Sequence, residues 1–137
     1  MKKLSVLLAV IGVVQLVLGL LYLFLPTQFL AMMGHSGPEA DIAYPLGMLA
    51  ARFLAYGIGM FFIARVPEKH LFWINNMIFI QVVDLAVGVF YTATGIIGLQ
   101  LSGFPMFNAT LFIILLTLWR PKAAAAAAKP GELSVGD

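Results

Sequence analysis

From Leu4 to Leu25 the chain runs without a single charged residue, and Pro26 stops the run. Crossing a hydrocarbon core about 30 Å thick takes roughly 20 apolar residues in helical form, which this segment supplies. The feature recurs. Further apolar runs extend from Leu46 to Val66, ended by Pro67, and from His70 to Thr94, followed by Gly95 as a C-terminal stop. A fourth starts at Pro105, a good first-turn residue after Ser102, and ends at Trp119-Arg120-Pro121. The expectation is an all-α integral membrane protein, an antiparallel bundle of four transmembrane helices near 4–25, 46–66, 70–94 and 105–119. These make one domain over residues 1–122, and an alanine-rich tail follows from 123 to 137 as a linker or mobile end.

Composition closes off other classes. Of 137 residues, 62% are hydrophobic and 10% charged, whereas a soluble domain carries about a quarter charged residues. An ordinary soluble enzyme is excluded, and so is disorder, which needs low hydrophobicity and high charge. With no cysteine, the chain has no disulfide, thiol nucleophile, thiolate metal site or iron–sulfur cluster. The net charge of +2 does not mark a nucleic-acid binder, because the basic residues sit at the ends of apolar runs and build no patch.

Met1-Lys2-Lys3 resembles the start of a signal peptide, but the apolar stretch behind it exceeds the usual h-region of about 7–15 residues and no small-x-small cleavage site follows promptly. It reads as a retained transmembrane helix. The fourth run is short: residues 105–119 give roughly 22 Å of helix, so it must tilt little, thin the bilayer or extend at one end.

With four crossings, Lys2, Lys3, Arg65, Lys69, Arg120, Lys122 and Lys129 all fall on one side. The other holds His35, Glu39 and Asp41 and no Lys or Arg. The positive-inside rule therefore predicts both termini in the cytoplasm. Trp73 and Trp119 then lie at the inner interface, and Tyr22, Tyr44 and Tyr91 at the outer one. The connection from Thr27 to Pro45 opens with apolar Phe29–Gly34, which suits a short interfacial helix. The apolar loop from Ile96 to Phe104 rests on headgroups or docks a partner.

Helices in lipid meet through small residues and polar pairs. The first helix carries Ser5, Gly12 and Gly19, interleaved with Gln15 and Tyr22; the second carries Gly47, Ala51, Ala55 and Gly59. The third presents Gln81, Asp84, Gly88, Tyr91 and Gly95, and the fourth only Asn108, Thr110 and Thr117. Helix packing accounts for most of these. Arg52 and Asp84 stand apart, since each costs roughly 2.5–3.5 kcal/mol within a membrane. Each lies sixteen residues from Glu68, the centre of the turn joining their helices, so in an antiparallel hairpin they share one depth, about 24 Å above the turn. There they can pair, with Arg52 donating two hydrogen bonds to the carboxylate and Gln15, Tyr22, Gln81 and Tyr91 satisfying the remaining groups. Two readings stay open: a structural clamp that fixes helix register, or a ligand or proton site. Asn75 and Asn76 suit helix–helix hydrogen bonds or headgroup contacts.

Reactive constellations are scarce. His35 and His70 lie outside the spans, cannot jointly hold a membrane-embedded haem, and make no zinc site on their own. There is no G-x-S-x-G, H-E-x-x-H or phosphate-binding glycine loop, and Gly57-Ile58-Gly59 reads as packing. No catalytic residue, metal or cofactor is predicted.

The N-terminal helix ending in Leu25-Pro26, the segment Phe29–Gly34, and Ala51-Arg52-Phe53-Leu54-Ala55-Tyr56-Gly57-Ile58-Gly59 before a short basic turn resemble the small bacterial four-helix membrane proteins of the DoxX-like group, over roughly residues 4–120. The resemblance implies a multi-pass protein of the bacterial cytoplasmic membrane. Some members of that group are membrane subunits associated with quinone-linked sulfur oxidation. Only Arg52 is carried over by position, and it assigns no reaction. The first functional expectation is a non-catalytic accessory subunit of a larger membrane complex, with membrane lipids and a protein partner or further copies around it. The alternative is a binder or carrier of a quinone, lipid or small solute along the Arg52/Asp84 seam. The third is a membrane subunit of a quinone-linked oxidoreductase.

Overall fold

The computed structural model describes residues 1–37 and 39–122; the expected tail at 123–137 lies outside the described residues. Five α-helices are formed among the described residues: α1 (Lys2–Phe24), α2 (Pro26–Met33), α3 (Ala43–Ala64), α4 (Leu71–Ala93) and α5 (Leu99–Trp119). Single 3₁₀ turns at Ala40–Ile42 and Pro67–Lys69 lead into α3 and α4. Among the described residues, four helices are long and apolar enough to cross a membrane. Lipid offers backbone groups no hydrogen bonds, so each spanning segment satisfies its own by forming a helix.

Prolines cut the chain into these pieces. A residue before proline is pushed out of the helical region, and Leu25, Val66 and Arg120 are all non-helical (φ/ψ −131/49, −142/67 and −62/150) ahead of Pro26, Pro67 and Pro121. Pro26 also opens α2, where its missing N–H is no loss. The segment placed at the membrane surface is thus a helix, closed by Gly34 in the left-handed region. After α4, Gly95 at φ +76 lets the Ile96 N–H turn back to the Tyr91 carbonyl at 3.1 Å, a C-terminal stop that only glycine makes without strain.

Two boundaries differ from expectation for a physical reason. α3 begins at Ala43 rather than Leu46 because Pro45 sits in its first turn, where proline is tolerated. α5 begins at Leu99 rather than Pro105, so residues 99–104, expected as loop, are helical and Pro105 lies inside the helix. Pro105 leaves one carbonyl without its usual donor. Packing holds the turn before it: Ser102 is buried and hydrogen-bonded to Thr92. The helix extends at one end and reaches about 31 Å, the thickness of a hydrocarbon core.

α1 and α3 pack antiparallel and closely. A Cβ on Gly12 would stand 3.1 Å from the Gly57 carbonyl oxygen, and one on Gly19 would stand 2.8 Å from Leu54, so the partner number falls as the α1 number rises. α4 and α5 form the second antiparallel pair, with Gly88 against Met106, Thr92 on Ser102 and Asn75 on Arg120. The two pairs join at the end of the bundle that carries the α3–α4 turn. There Leu4, Leu8, Ile11, Met60, Ile74, Met77 and Leu116 are at most 1% exposed and make one apolar core drawn from all four spans. Away from that end the core thins out. Along α4 no residue beyond Gln81 is buried, and Val82, Val83, Val87, Val89 and Phe90 are exposed.

Candidate functional site

Where the core stops, the two intramembrane charges begin. Arg52 on α3 and Asp84 on α4 stand 3.6 Å apart, Nη2 to Oδ2. Their equal spacing from the turn is what makes this meeting possible, because each helix rises by the same amount per residue. The geometry is looser than a bidentate fork. At 3.6 Å the contact is an ion pair without a hydrogen bond, and the side chains remain 35% and 39% exposed, outside the buried core. The guanidinium also lies 5.0 Å from the centre of the Phe53 ring, a cation–π contact that strengthens when water is absent.

That ring ties the pair to the rest of the fold. Phe53 stacks on Tyr22 of α1 at 5.7 Å, and Tyr22 meets Phe29 of α2 edge-on at 5.0 Å. A relay of aromatic rings thus runs from α2 through α1 and α3 to the guanidinium, and Asp84 continues it to α4. Of these rings, the sequence points to Tyr22 and not to Phe53 or Phe29. The available signal was Phe53 beside Arg52, an apolar ring next to the one basic residue far from the ends of a span.

The four polar residues expected to support the pair are placed otherwise. Gln81 is buried and turns its amide to the Met77 sulfur at 3.5 Å. Gln15 is buried on α1. Tyr22 joins the pair through Phe53, and Tyr91 is exposed, edge-on to Phe90. Among the described residues none of the four hydrogen-bonds Arg52 or Asp84. The polar seam is therefore not continuous: Gln15 and Gln81 belong to the core, and the charges sit outside it.

The small-residue face of α3 is also turned away from α1. Ala50, Phe53, Gly57 and Met60 pack inward, whereas Ala51 and Ala55 are exposed and a Cβ on Gly47 or Gly59 would meet nothing within 4 Å. Ala55 and Gly59 instead border an open cleft of about 430 Å³ beside α4, shared with Tyr56, His70 and Trp73. At its wall Asn76 donates to the Tyr56 hydroxyl at 3.0 Å, and the residue before it on α4, Asn75, accepts from Arg120 at 2.6 Å. Both asparagines thus make interhelical hydrogen bonds. No group of three or more His, Asp or Glu among the described residues is placed to hold a metal ion.

No family model matches the chain, and neither the curated proteins nor the solved structures contain a match. The comparisons identify no family and lend no support to the DoxX-like resemblance. The fold itself establishes a multi-pass protein with four membrane-spanning helices.

Proposed function

We propose that this chain is a non-catalytic transmembrane subunit that acts by packing against a partner protein in a larger membrane complex, with both termini on the cytoplasmic side of a bacterial cytoplasmic membrane. One observation carries the reading: an ion pair inside the membrane span is more than a third exposed, next to an open ridge of Ala51, Ala55 and Gly59. Charges facing lipid are costly, and small residues let a neighbouring backbone approach closely. A partner helix laid along α3 relieves both conditions at once, covering the charges and offering them hydrogen bonds. The DoxX-like resemblance, whose group includes membrane subunits, points the same way, although Arg52 is the one residue it carries over by position.

The absence of cysteine makes the test clean. A single cysteine at Ala55, in native membranes, should cross-link to one partner that also co-purifies stoichiometrically, and Ala55→Trp should abolish co-purification. Val13→Cys, exposed on α1, should not cross-link. A bare chain from gently extracted membranes, with no adduct at Ala55→Cys, would sink the proposal.

The cleft favours a second reading, a binder of a small lipophilic molecule such as a quinone or lipid. About 430 Å³ lies within the usual range of ligand pockets, and its apolar walls carry a Tyr56 hydroxyl and a His70 imidazole. Under this reading native mass spectrometry finds a small-molecule mass on the chain, and Gly59→Phe removes it.

A further inference from the structure

The end of the α4–α5 pair carries a second pocket, of about 460 Å³, whose chemistry is unlike that of the cleft. Its polar walls are Asn75, Thr117, Arg120 and Lys122, and its apolar walls include Leu71 and Leu118. No carboxylate lines it, and among the described residues neither cation is in a salt bridge. Two positive charges therefore face one space with no carboxylate beside them among the described residues.

Arg120 is held in place. Its Nη1 donates to the Asn75 Oδ1 at 2.6 Å, which fixes the guanidinium plane and leaves the other four of its five N–H donors for a further acceptor. The backbone beneath it is fixed as well, because Arg120 is extended ahead of the buried Pro121. The pocket also touches the first turn of α4, where Leu71 starts a 23-residue helix whose N-terminus has no side-chain cap. Helix N-termini carry partial positive charge and free N–H groups, so this adds to the field of the two cations. Position completes the case: the pocket lies where two membrane-spanning helices end, Leu71 and Leu118 border the cations, and Trp73 and Trp119 are close by in sequence. A ligand fitting this place carries an anionic phosphate and an apolar body on one molecule.

We infer that the Asn75–Thr117–Arg120–Lys122 pocket binds the phosphate headgroup of an anionic phospholipid, whose acyl chains run along the neighbouring faces of α4 and α5. A zwitterionic headgroup fits poorly, because its ammonium meets two cations and no carboxylate. Basic pockets between transmembrane helices take anionic headgroups on the same physical grounds.

The test uses the full-length protein in detergent micelles, with phosphatidylglycerol or phosphatidylcholine of matched acyl chains added and bound lipid counted by native mass spectrometry. Phosphatidylglycerol should be retained over phosphatidylcholine, and Lys122→Gln should weaken its retention about fivefold. Adding Arg120→Gln should weaken it about as much again. The Lys2→Gln/Lys3→Gln variant removes the same charge from the first turn of α1 and should leave retention unchanged. Equal retention of the two lipids, or an equal fall in the Lys2/Lys3 variant, overturns the inference. Inorganic phosphate in the millimolar range should leave the lipid in place; displacement by phosphate alone would mark a free-anion site instead. Lys122 is exposed, so its single variant keeps the test decisive even if the double variant fails to fold.

Discussion

Gly57 has no side chain because α1 occupies the space. A Cβ there would stand 2.7 Å from the Leu16 Cγ and 3.1 Å from the Gly12 carbonyl oxygen, whereas at Gly59, two residues on, it would meet nothing within 4 Å. The two positions make a matched pair. Alanine raises helix propensity equally at both, by up to about 1 kcal/mol, so any difference between the variants reports packing. Gly57→Ala should destabilise the folded protein by about 1–3 kcal/mol and Gly59→Ala should leave it unchanged or more stable, as read from thermal unfolding in micelles. Arg52 and Asp84 allow a similar contrast. Arg52→Met leaves a carboxylate alone in the span, at a cost of about 2.5–3.5 kcal/mol if it stays charged. The double variant Arg52→Met/Asp84→Asn removes both charges and should recover most of that loss, since deleting a whole pair costs far less than breaking one. If both variants insert and unfold like the parent protein, the pair is not a clamp and its place in the span needs a partner or a ligand to explain it.

At the scale of the helix, proline and glycine punctuation was legible and helix facing was not. The breaks at Pro26, Pro67 and Pro121 follow from sterics local to two residues, and the meeting of Arg52 with Asp84 follows from counting along two helices of fixed rise. Which side of α3 meets α1 depends on α1, and here the spacing rule misled. Gly47, Ala51, Ala55 and Gly59 form the more regular small-residue row, yet the contact uses Ala50, Phe53, Gly57 and Met60. A single well-placed glycine opposite Gly12 and a set of large side chains that fill the core outweighed a longer ridge. The start of α5 is hidden from the sequence for a similar reason: Pro105 resembles a beginning because the partner that holds the previous turn, Thr92, lies in another helix. Thr92 Oγ1 and Ser102 Oγ are 2.7 Å apart, and both also reach backbone carbonyls, of Gly88 and Gly98. A double-mutant cycle with Thr92→Val and Ser102→Ala should give a coupling near 0.6 kcal/mol, the average for interhelical hydrogen bonds in lipid, and at most about 1.7. A coupling of zero would mean that the turn before Pro105 is held by Met106 on Gly88 alone.

The molecule as a whole is two helical pairs fastened at one end. All four spans contribute to the core around Leu8, Met60, Ile74 and Leu116, and the same end carries Lys2, Lys3, Arg65, Lys69, Arg120 and Lys122. At the other end α2 and the 3₁₀ turn at Ala40–Ile42 bring Glu39 and Asp41 and no Lys or Arg. This asymmetry makes the orientation testable on its own. Basic residues resist translocation across a membrane while acidic ones contribute little, so the fastened end should face the cytoplasm and the splayed end, with the partly exposed ion pair below it, should face outward. A reporter that works only in the cytoplasm, fused after Asp137, should be active, and one that works only outside should be active when inserted at Ser36 and silent after Asp137. Moving the charges should move the protein: Lys2→Gln/Lys3→Gln combined with two lysines placed beside Ser36 should yield a mixed or inverted population. If the orientation survives that exchange unchanged, the positive end is not what sets it, and the face that the ion pair presents to a partner must be sought from the opposite side of the membrane.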